Sequence, residues 1–168
     1  MNKVFGKKTD FAPIKEDASR VIISYDYQEV DEVNATWKEI YLYKKQVSQV
    51  SLADVKQAVI ADIDASTVEK IKSGFVWNEK PIWLSAENQR NFSEAQRLGI
   101  VGRKEKLGEN EDGTPVYHVF ETTEELDGFY RQVESYIHQC LADGRDMKDG
   151  IDWAPYEELY PSAESNAE

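Results

Sequence analysis

The sequence predicts an α+β fold, in which small antiparallel β-hairpins pack with three to four helices behind an extended N-terminal arm. Short segments of aromatic and β-branched residues recur between turn-forming residues, which is typical of strands. Longer segments repeat apolar residues at helical spacing behind capping residues, which is typical of amphipathic helices. The chain has 168 residues, of which 40% are hydrophobic, so it is long enough for one well-packed domain and short for two.

The first 19 residues show no regular hydrophobic pattern and contain a glycine and a proline. They predict an N-terminal arm over residues 1–19 that becomes ordered against a partner. Phe5, Phe11 and Ile14 give this arm apolar side chains to bury. A loose leader without a partner is the alternative.

Residues 20–50 predict a β-hairpin. Its strands, at residues 20–30 and 36–47, flank the polar loop DEVNA. Tyr41 and Tyr43 share one face of the second strand, and aliphatic residues lie on the other face. Because both faces are partly apolar, we expect the hairpin to pack on its own protein and also on another surface.

Residues 51–153 predict a module of helices around a second hairpin, which completes a single domain over residues 20–153. The first helix begins at Ser51, with Asp54 in the capping-box position. Its apolar spacing loosens at residues 62–65, so we expect an interruption there and a short restart.

The second hairpin and the helix behind it are the best-defined part of the pattern. Residues 75–77 predict a strand, residues 78–80 a turn and residues 81–84 the returning strand. Ser85 follows as an N-cap for a helix that ends near Leu98.

The rest of the module predicts one loop, one strand and the longest helix. Residues 99–114 are rich in glycine and charge and predict an exposed loop before a strand at 116–120. Thr122 and Glu125 form a capping box for the long helix, which Gly144 is expected to end.

The chain end and the charge set further bounds. Residues 154–168 predict a flexible acidic tail. The net charge of −12 and the pI near 4.7 argue against direct binding to nucleic acid or to an anionic membrane, because phosphates would be repelled. No apolar run is long enough to span a membrane, and the basic N-terminus lacks the apolar region of a secretory signal. We expect synthesis in a cytoplasm.

The sequence offers little for catalysis or for cofactors. The single cysteine, Cys140, excludes an intrachain disulfide and a cysteine-based zinc site, and its apolar neighbours predict a buried structural thiol. The two histidines, His118 and His138, accompany no nucleophile elbow, metalloprotease motif or phosphate loop. The aspartates of residues 143–152 lack calcium-loop spacing. We therefore predict no catalytic residue, no cofactor and no metal, although a pair of carboxylates for glycoside chemistry stays open.

The tryptophans are the residues most suited to a functional surface. Trp77 and Trp83 flank the same turn, where each can fill the core or anchor an interface. If a surface is functional, we expect it at this hairpin and the first turn of the following helix. The candidate interface residues are Phe5, Phe11, Trp77, Trp83, Asn88, Gln89 and Asn91.

Four sequence features resemble a known family in their order. They are I-x-S-G-F-x-W-N at 71–78, W-L-S-x-E-N-Q-x-N-F at 83–92, a short strand at 116–120, and T-x-E-E-L with an aromatic-rich helix at 122–141. Residues 71–151 thereby resemble an uncharacterised domain of tail- or fibre-associated structural proteins from tailed bacteriophages and prophages of Bacteroides-type hosts. The resemblance implies a role in the virion rather than an activity, and it transfers no active-site residues.

We therefore expect a non-enzymatic virion protein, a minor tail, neck or fibre-attachment component that acts through protein–protein contacts. Its partners would be other virion proteins, and it would be a homo-oligomer or present in several copies. It would be made in the host bacterial cytoplasm and end in the virion. One alternative is a cytoplasmic assembly factor, a chaperone for a fibre or tail subunit that is absent from the mature particle. The other is an enzyme that uses an acidic pair, or a carbohydrate-active domain that uses Trp77 and Trp83.

Overall fold

A computed structural model describes residues 2–17, 19–43, 50–110 and 112–160 of the chain. Within these ranges, helices accompany antiparallel sheets, which confirms the predicted α+β fold. The chain divides into two compact units. The terminal unit combines Met1–Asp64 with Asp146–Glu168, and the central unit is Ala65–Arg145. The single domain over residues 20–153 stays a prediction.

The terminal unit contains a four-stranded antiparallel sheet of order β1-β4-β3-β2. Its strands are β1 (Asn2–Lys7), β2 (Ile14–Glu16), β3 (Arg20–Glu29) and β4 (Asn34–Tyr43), with a 3-10 turn at Lys8–Asp10. The predicted hairpin is therefore confirmed as β3 and β4, while residues 44–47 of its second strand lie outside the described residues.

The prediction of an N-terminal arm over residues 1–19 is wrong, because β1 and β2 are the two edges of this sheet. Gly6 shows how closely β1 packs: a Cβ at that position would lie 2.8 Å from the Trp37 ring. Pairing with β4 and packing over this ring order the segment within its own chain.

The first helix, α1 (Leu52–Ser73), begins at the predicted cap. The backbone N–H of Ser51 donates to the Asp54 carboxylate over 2.8 Å, and the N–H of Asp54 donates to Ser51 Oγ over 3.3 Å. The predicted interruption at residues 62–65 is wrong, because α1 is continuous. Asp62 accepts a hydrogen bond from the Tyr25 hydroxyl, so a contact from the sheet supports the helix where its apolar spacing loosens.

The last helix, α4 (Ala154–Glu157), lies where we predicted the start of a flexible tail. Tyr156 is only 4% exposed, and its hydroxyl donates to the backbone oxygen of Ser24 over 2.5 Å. It joins the apolar core of the terminal unit with residues such as Ile23 and Val59. Residues 154–160 therefore belong to the folded structure, while residues 161–168 of the predicted tail lie outside the described part of the chain.

The central unit contains the last part of α1, two hairpins, a complete helix and most of the longest helix. Its elements are β5 (Phe75–Trp77), β6 (Lys80–Ile82), α2 (Ala86–Leu98), β7 (Lys104–Glu109), β8 (Pro115–Val119) and α3 (Thr123–Asp149). Asn78 and Glu79 have φ angles of 47° and 62°, as a tight hairpin turn with the right-handed strand twist requires. The second predicted hairpin and the helix capped by Ser85 are thereby confirmed.

Two predictions for this unit are wrong. Residues 99–114 are not simply an exposed loop, because β7 forms there with Leu107 fully buried. Gly144 does not end α3, which continues to Asp149 and begins at the predicted cap, where Glu125 N–H donates to Thr122 Oγ1 over 3.2 Å. In each case burial against another element outweighs the local preference of a glycine or a charged residue.

The core of the central unit is a cluster of aromatic rings around Phe129. Its ring centroid lies between 5.0 and 6.4 Å from those of its four aromatic neighbours, Phe75, Trp77, Phe92 and Phe120. Cys140 is buried in the same core, as predicted. No helix among the described residues is long and apolar enough to cross a membrane.

Candidate functional site

Trp83 is the exposed aromatic residue that follows β6. Ile82 and Leu84 on either side of it are buried, so the alternation of an extended chain places the Trp83 ring outward. The ring is 40% exposed. Its backbone is fixed, because Trp83 N–H donates to the oxygen of Leu107 over 2.8 Å, and Leu84 N–H donates to that of Lys72 over 2.8 Å.

The first turn of α2 supports the position of Trp83. The Asn88 side-chain amide donates to the backbone oxygen of Trp83 over 2.8 Å, and that of Gln89 donates to the oxygen of Leu84 over 2.7 Å. Ser85 Oγ accepts from the backbone N–H of Asn88 over 3.2 Å and caps the helix. Two of the predicted interface residues, Asn88 and Gln89, thus use their amide donors to hold the turn that presents the tryptophan.

A shallow cavity of about 330 Å³ lies beside the Trp83 ring. Gly108, which lines it, lets β7 approach the backbone of residues 81–83 closely, because a Cβ there would lie 2.9 Å from the Trp83 nitrogen and 2.7 Å from the Pro81 oxygen. We call the lining of this cavity the Trp83 surface; it consists of Trp83, Ser85, Glu87, Asn88, Lys106, Gly108 and Glu109.

The charges on and beside the Trp83 surface have both signs. Lys72 Nζ lies 5.1 Å from the Trp83 ring centroid. Lys106 Nζ lies 2.6 Å from a carboxylate oxygen of Glu109, and this hydrogen bond raises the pKa of Lys106. A partly exposed tryptophan surrounded by hydrogen-bonding groups has the composition of an interface anchor, since its ring supplies apolar area while its neighbours supply direction.

Trp77 and Asn91 do not join the Trp83 surface. Trp77 is 6% exposed and packs on Phe129 and His118, so the structure places it in the core rather than at an interface. Asn91 is exposed on α2 but does not line the cavity. Of the two tryptophans that flank the turn, only Trp83 is available to a partner.

Phe5 and Phe11 belong to the terminal unit. Phe5 is 64% exposed on the edge strand β1, opposite Thr36 of β4. Phe11 is half-buried, with its ring centroid 4.7 Å from that of Tyr27 and 5.8 Å from that of Trp37. Phe5 therefore remains a surface residue, while Phe11 packs within its own unit.

Sequence reasoning missed Lys106, Gly108 and Glu109, because it assigned them to a loop. A signal was nevertheless present. Leu107 is the single apolar residue between the charged run at 103–106 and Glu109, and the turn pair Asp112-Gly113 separates this segment from β8. That order of parts is typical of a hairpin strand with one buried side.

His118 has a structural role. Its Nε2 lies 2.8 Å from a Glu125 carboxylate oxygen, and its ring packs edge-on against Trp77 at 4.9 Å between centroids. The pKa of the Glu125 carboxyl is held below its usual value. The main cause is the hydrogen bond from the backbone N–H of Glu121, and the second is the hydrogen bond with His118. His138 is exposed on α3. Across the described ranges, no group of three or more histidine, cysteine or acidic residues is arranged to hold a metal ion.

No protein-family model, curated protein or solved structure matches this chain.

Proposed function

We propose that the chain is a non-enzymatic structural protein of a tailed bacteriophage, a minor tail, neck or fibre-attachment component that binds other virion proteins. The Trp83 surface is the observation that carries the binding role. Trp83 is 40% exposed while the backbone amides of Trp83 and Leu84 are hydrogen-bonded, so the backbone that carries the ring would lose little conformational entropy on binding. The assignment to a phage particle rests on the sequence resemblance over residues 71–151.

A cytoplasmic assembly factor for a fibre or tail subunit is the second candidate. The same surface and the net charge of −12 support it, because an acidic protein stays soluble while it holds a partner. The two candidates differ in one respect: a structural component remains in the finished particle and an assembly factor does not.

Mass spectrometry of density-purified virions, quantified against the major capsid protein, separates the two. We expect this chain at a fixed copy number in every preparation. Recovery from the lysate but not from the particles would instead identify the assembly factor. Both candidates would be contradicted if the chain bound no phage protein and if deletion of its gene left the particles without a defect.

The role of the Trp83 surface is tested with Trp83→Ala in the same particles. We expect the variant to fold but to be lost from virions, because the anchor of the interface is removed. Tyr117→Ala is the matched control, since Tyr117 is 43% exposed on β8 and does not line the cavity. Equal incorporation of both variants would remove the Trp83 surface from the proposal.

A further inference from the structure

The terminal unit contains a second cavity, of about 440 Å³, that the proposed function does not use. This volume is within the range of small-ligand pockets, about 300–1,000 Å³. We call it the aromatic pocket and define it by four rings and two carboxylates of its lining: Phe11, Tyr25, Tyr27, Tyr156, Asp26 and Asp152.

A β-bulge builds one wall of the aromatic pocket. Tyr25, Asp26 and Tyr27 are consecutive, and all three line the cavity, although neighbours in a regular strand point to opposite faces. The register of β3 and β4 shifts between Tyr25 and Gln28, and Asp26 has a φ of 56°. The bulge thus places a carboxylate between two aromatic side chains, which a regular strand cannot do.

The charge of the pocket lining is negative. Asp26 and Asp152 line it, and no lysine, arginine or histidine stands among its described lining residues. Asp152 accepts the backbone N–H of Ala154 with Oδ1 over 3.0 Å, and no hydrogen bond from a described residue occupies its Oδ2. A cation at this position would meet ring faces and carboxylate oxygens together.

The phenol groups of the two buried tyrosines of the pocket, Tyr25 and Tyr156, are not available to an anion. The Tyr25 hydroxyl donates to Asp62, and the Tyr156 hydroxyl donates to the Ser24 oxygen over 2.5 Å. The pKa of Tyr156 is raised to about 12, mainly by burial of the phenol and to a smaller extent by the negative charge of Asp152. Both rings therefore contribute their carbon surfaces while their protons are used within the protein.

Lys38 shows which charge this region accommodates. Its ammonium lies 3.1 Å from Asp26 Oδ2 and 5.7 Å from the centroid of the Tyr25 ring. Lys38 itself does not line the cavity. Asp26 Oδ1 also accepts from the Gln28 side-chain amide over 3.1 Å, so Asp26 is held by internal partners and binds an ammonium group within its own unit. Within the cavity, Asp152 Oδ2 and the ring faces offer the same two kinds of group.

We propose that the aromatic pocket binds the cationic end of a lysine or arginine side chain presented by a partner protein. The apolar rings accept the aliphatic stem, and Asp26 and Asp152 neutralise the charged end. This contact is separate from the Trp83 surface and does not depend on it, because every lining residue belongs to the terminal unit.

The test is an NMR titration of the full chain with Nα-acetyl-lysine N-methylamide and with its neutral counterpart, Nα-acetyl-norleucine N-methylamide. We expect saturable shifts at Tyr27, Asp26 and Ile151 with the lysine probe, and binding about tenfold weaker with the neutral probe, which lacks the charged hydrogen bond. Butylammonium is titrated as well. Tighter binding of this free amine than of the lysine probe would assign the pocket to a small metabolite and overturn the partner-side-chain proposal.

The variants Asp26→Asn and Asp152→Asn remove charge but keep shape. Asparagine tolerates the positive φ at position 26, and its oxygen can still accept the Ala154 N–H at position 152. We expect each to weaken lysine-probe binding about tenfold and to leave the norleucine probe unchanged. Lys38→Met should strengthen binding of the lysine probe, because it frees Asp26 from one of its internal partners.

Three further results would overturn the proposal. They are the absence of saturable shifts with the lysine probe, equal affinity for the charged and the neutral probe, and shifts located outside the pocket. The amide spectrum of each variant reports its folding in the same experiment. If Asp26→Asn proves unfolded, Asp152→Asn by itself still tests the pocket.

Discussion

Gly144 of α3 lies directly against Thr67 of α1, so close that a Cβ at position 144 would be 2.5 Å from Thr67 Oγ1. Both residues belong to the central unit. A glycine is therefore needed at position 144 because the two helices pack closely there, and not because a helix ends there. This contact explains why a residue with poor helix propensity occupies the interior of α3.

Gly144→Ala should destabilise the protein by about 1–3 kcal/mol, because the added methyl group overpacks the contact with Thr67. Gly128→Ala on the same helix is the control. A Cβ there meets nothing within 4 Å, so the better helix propensity of alanine should stabilise by about 0.5–1 kcal/mol. Urea unfolding measures both changes. A stabilising Gly144→Ala would show that the helices have room at this point.

The two tryptophans of the second hairpin should differ in their effect on stability. Trp77→Ala leaves a cavity in the aromatic core and should cost about 3–5 kcal/mol. Trp83→Ala removes a partly exposed ring and should cost about 1–2 kcal/mol. Thermal and urea unfolding of the isolated protein compare them directly. Equal losses would mean that Trp83 is a core residue, and its use as an interface anchor would then have to be abandoned.

Glu125 should make the stability depend on acidic pH. Its pKa is lowered in the folded protein, chiefly by the N–H of Glu121, so its contribution is present above the unfolded-state pKa of about 4.3. That contribution is lost as the pH falls through the lower folded value. Glu125→Gln should therefore be less stable than the native chain near neutral pH, and the difference should shrink in acid.

Glu124→Gln is the control for this pH dependence. Glu124 lies in the same first turn of α3 and is exposed, and its substitution by glutamine removes the same negative charge. Unfolding free energies measured from about pH 3 to pH 7 should show the narrowing difference for Glu125→Gln alone. The same narrowing in both variants would assign the effect to the helix dipole instead.

Tyr156→Phe tests whether α4 is part of the folded core. The substitution keeps the ring but leaves the buried Ser24 oxygen without the phenol donor, which should cost about 1–2 kcal/mol of unfolding free energy. Tyr117→Phe, at a phenol that is 43% exposed, should change stability by less than about 0.5 kcal/mol. If urea unfolding gave the same change in free energy for both variants, residues 154–160 would have to be assigned to the flexible tail.

Local chemistry explains what could be predicted from the sequence. The cap at Ser51, the hairpin turn at residues 78–79 and the cap at Ser85 each depend on a few neighbouring side chains. Such features are visible without knowledge of the fold. The α+β class followed from them, because it needs only the type and order of the elements.

Distant contacts explain the rest. The strand β7 depends on the burial of Leu107 against another hairpin, and α1 continues past Asp62 with support from Tyr25. The aromatic pocket depends on a bulge at Asp26 that no local pattern announces. The exposure of Trp83, by contrast, was within reach, since its position alternates with two residues that are buried.

The order of the units along the chain determines when each can fold during translation. The central unit is one continuous segment, Ala65–Arg145, so all of its residues are synthesised before α4 is. The terminal unit is interrupted by that segment, and Tyr156 packs into a core built from residues as early as Val21. A nascent chain must therefore keep the part of this core that Tyr156 covers open until residue 156 has been made. Over that interval the terminal unit is the part of the protein most exposed to chaperones and to aggregation.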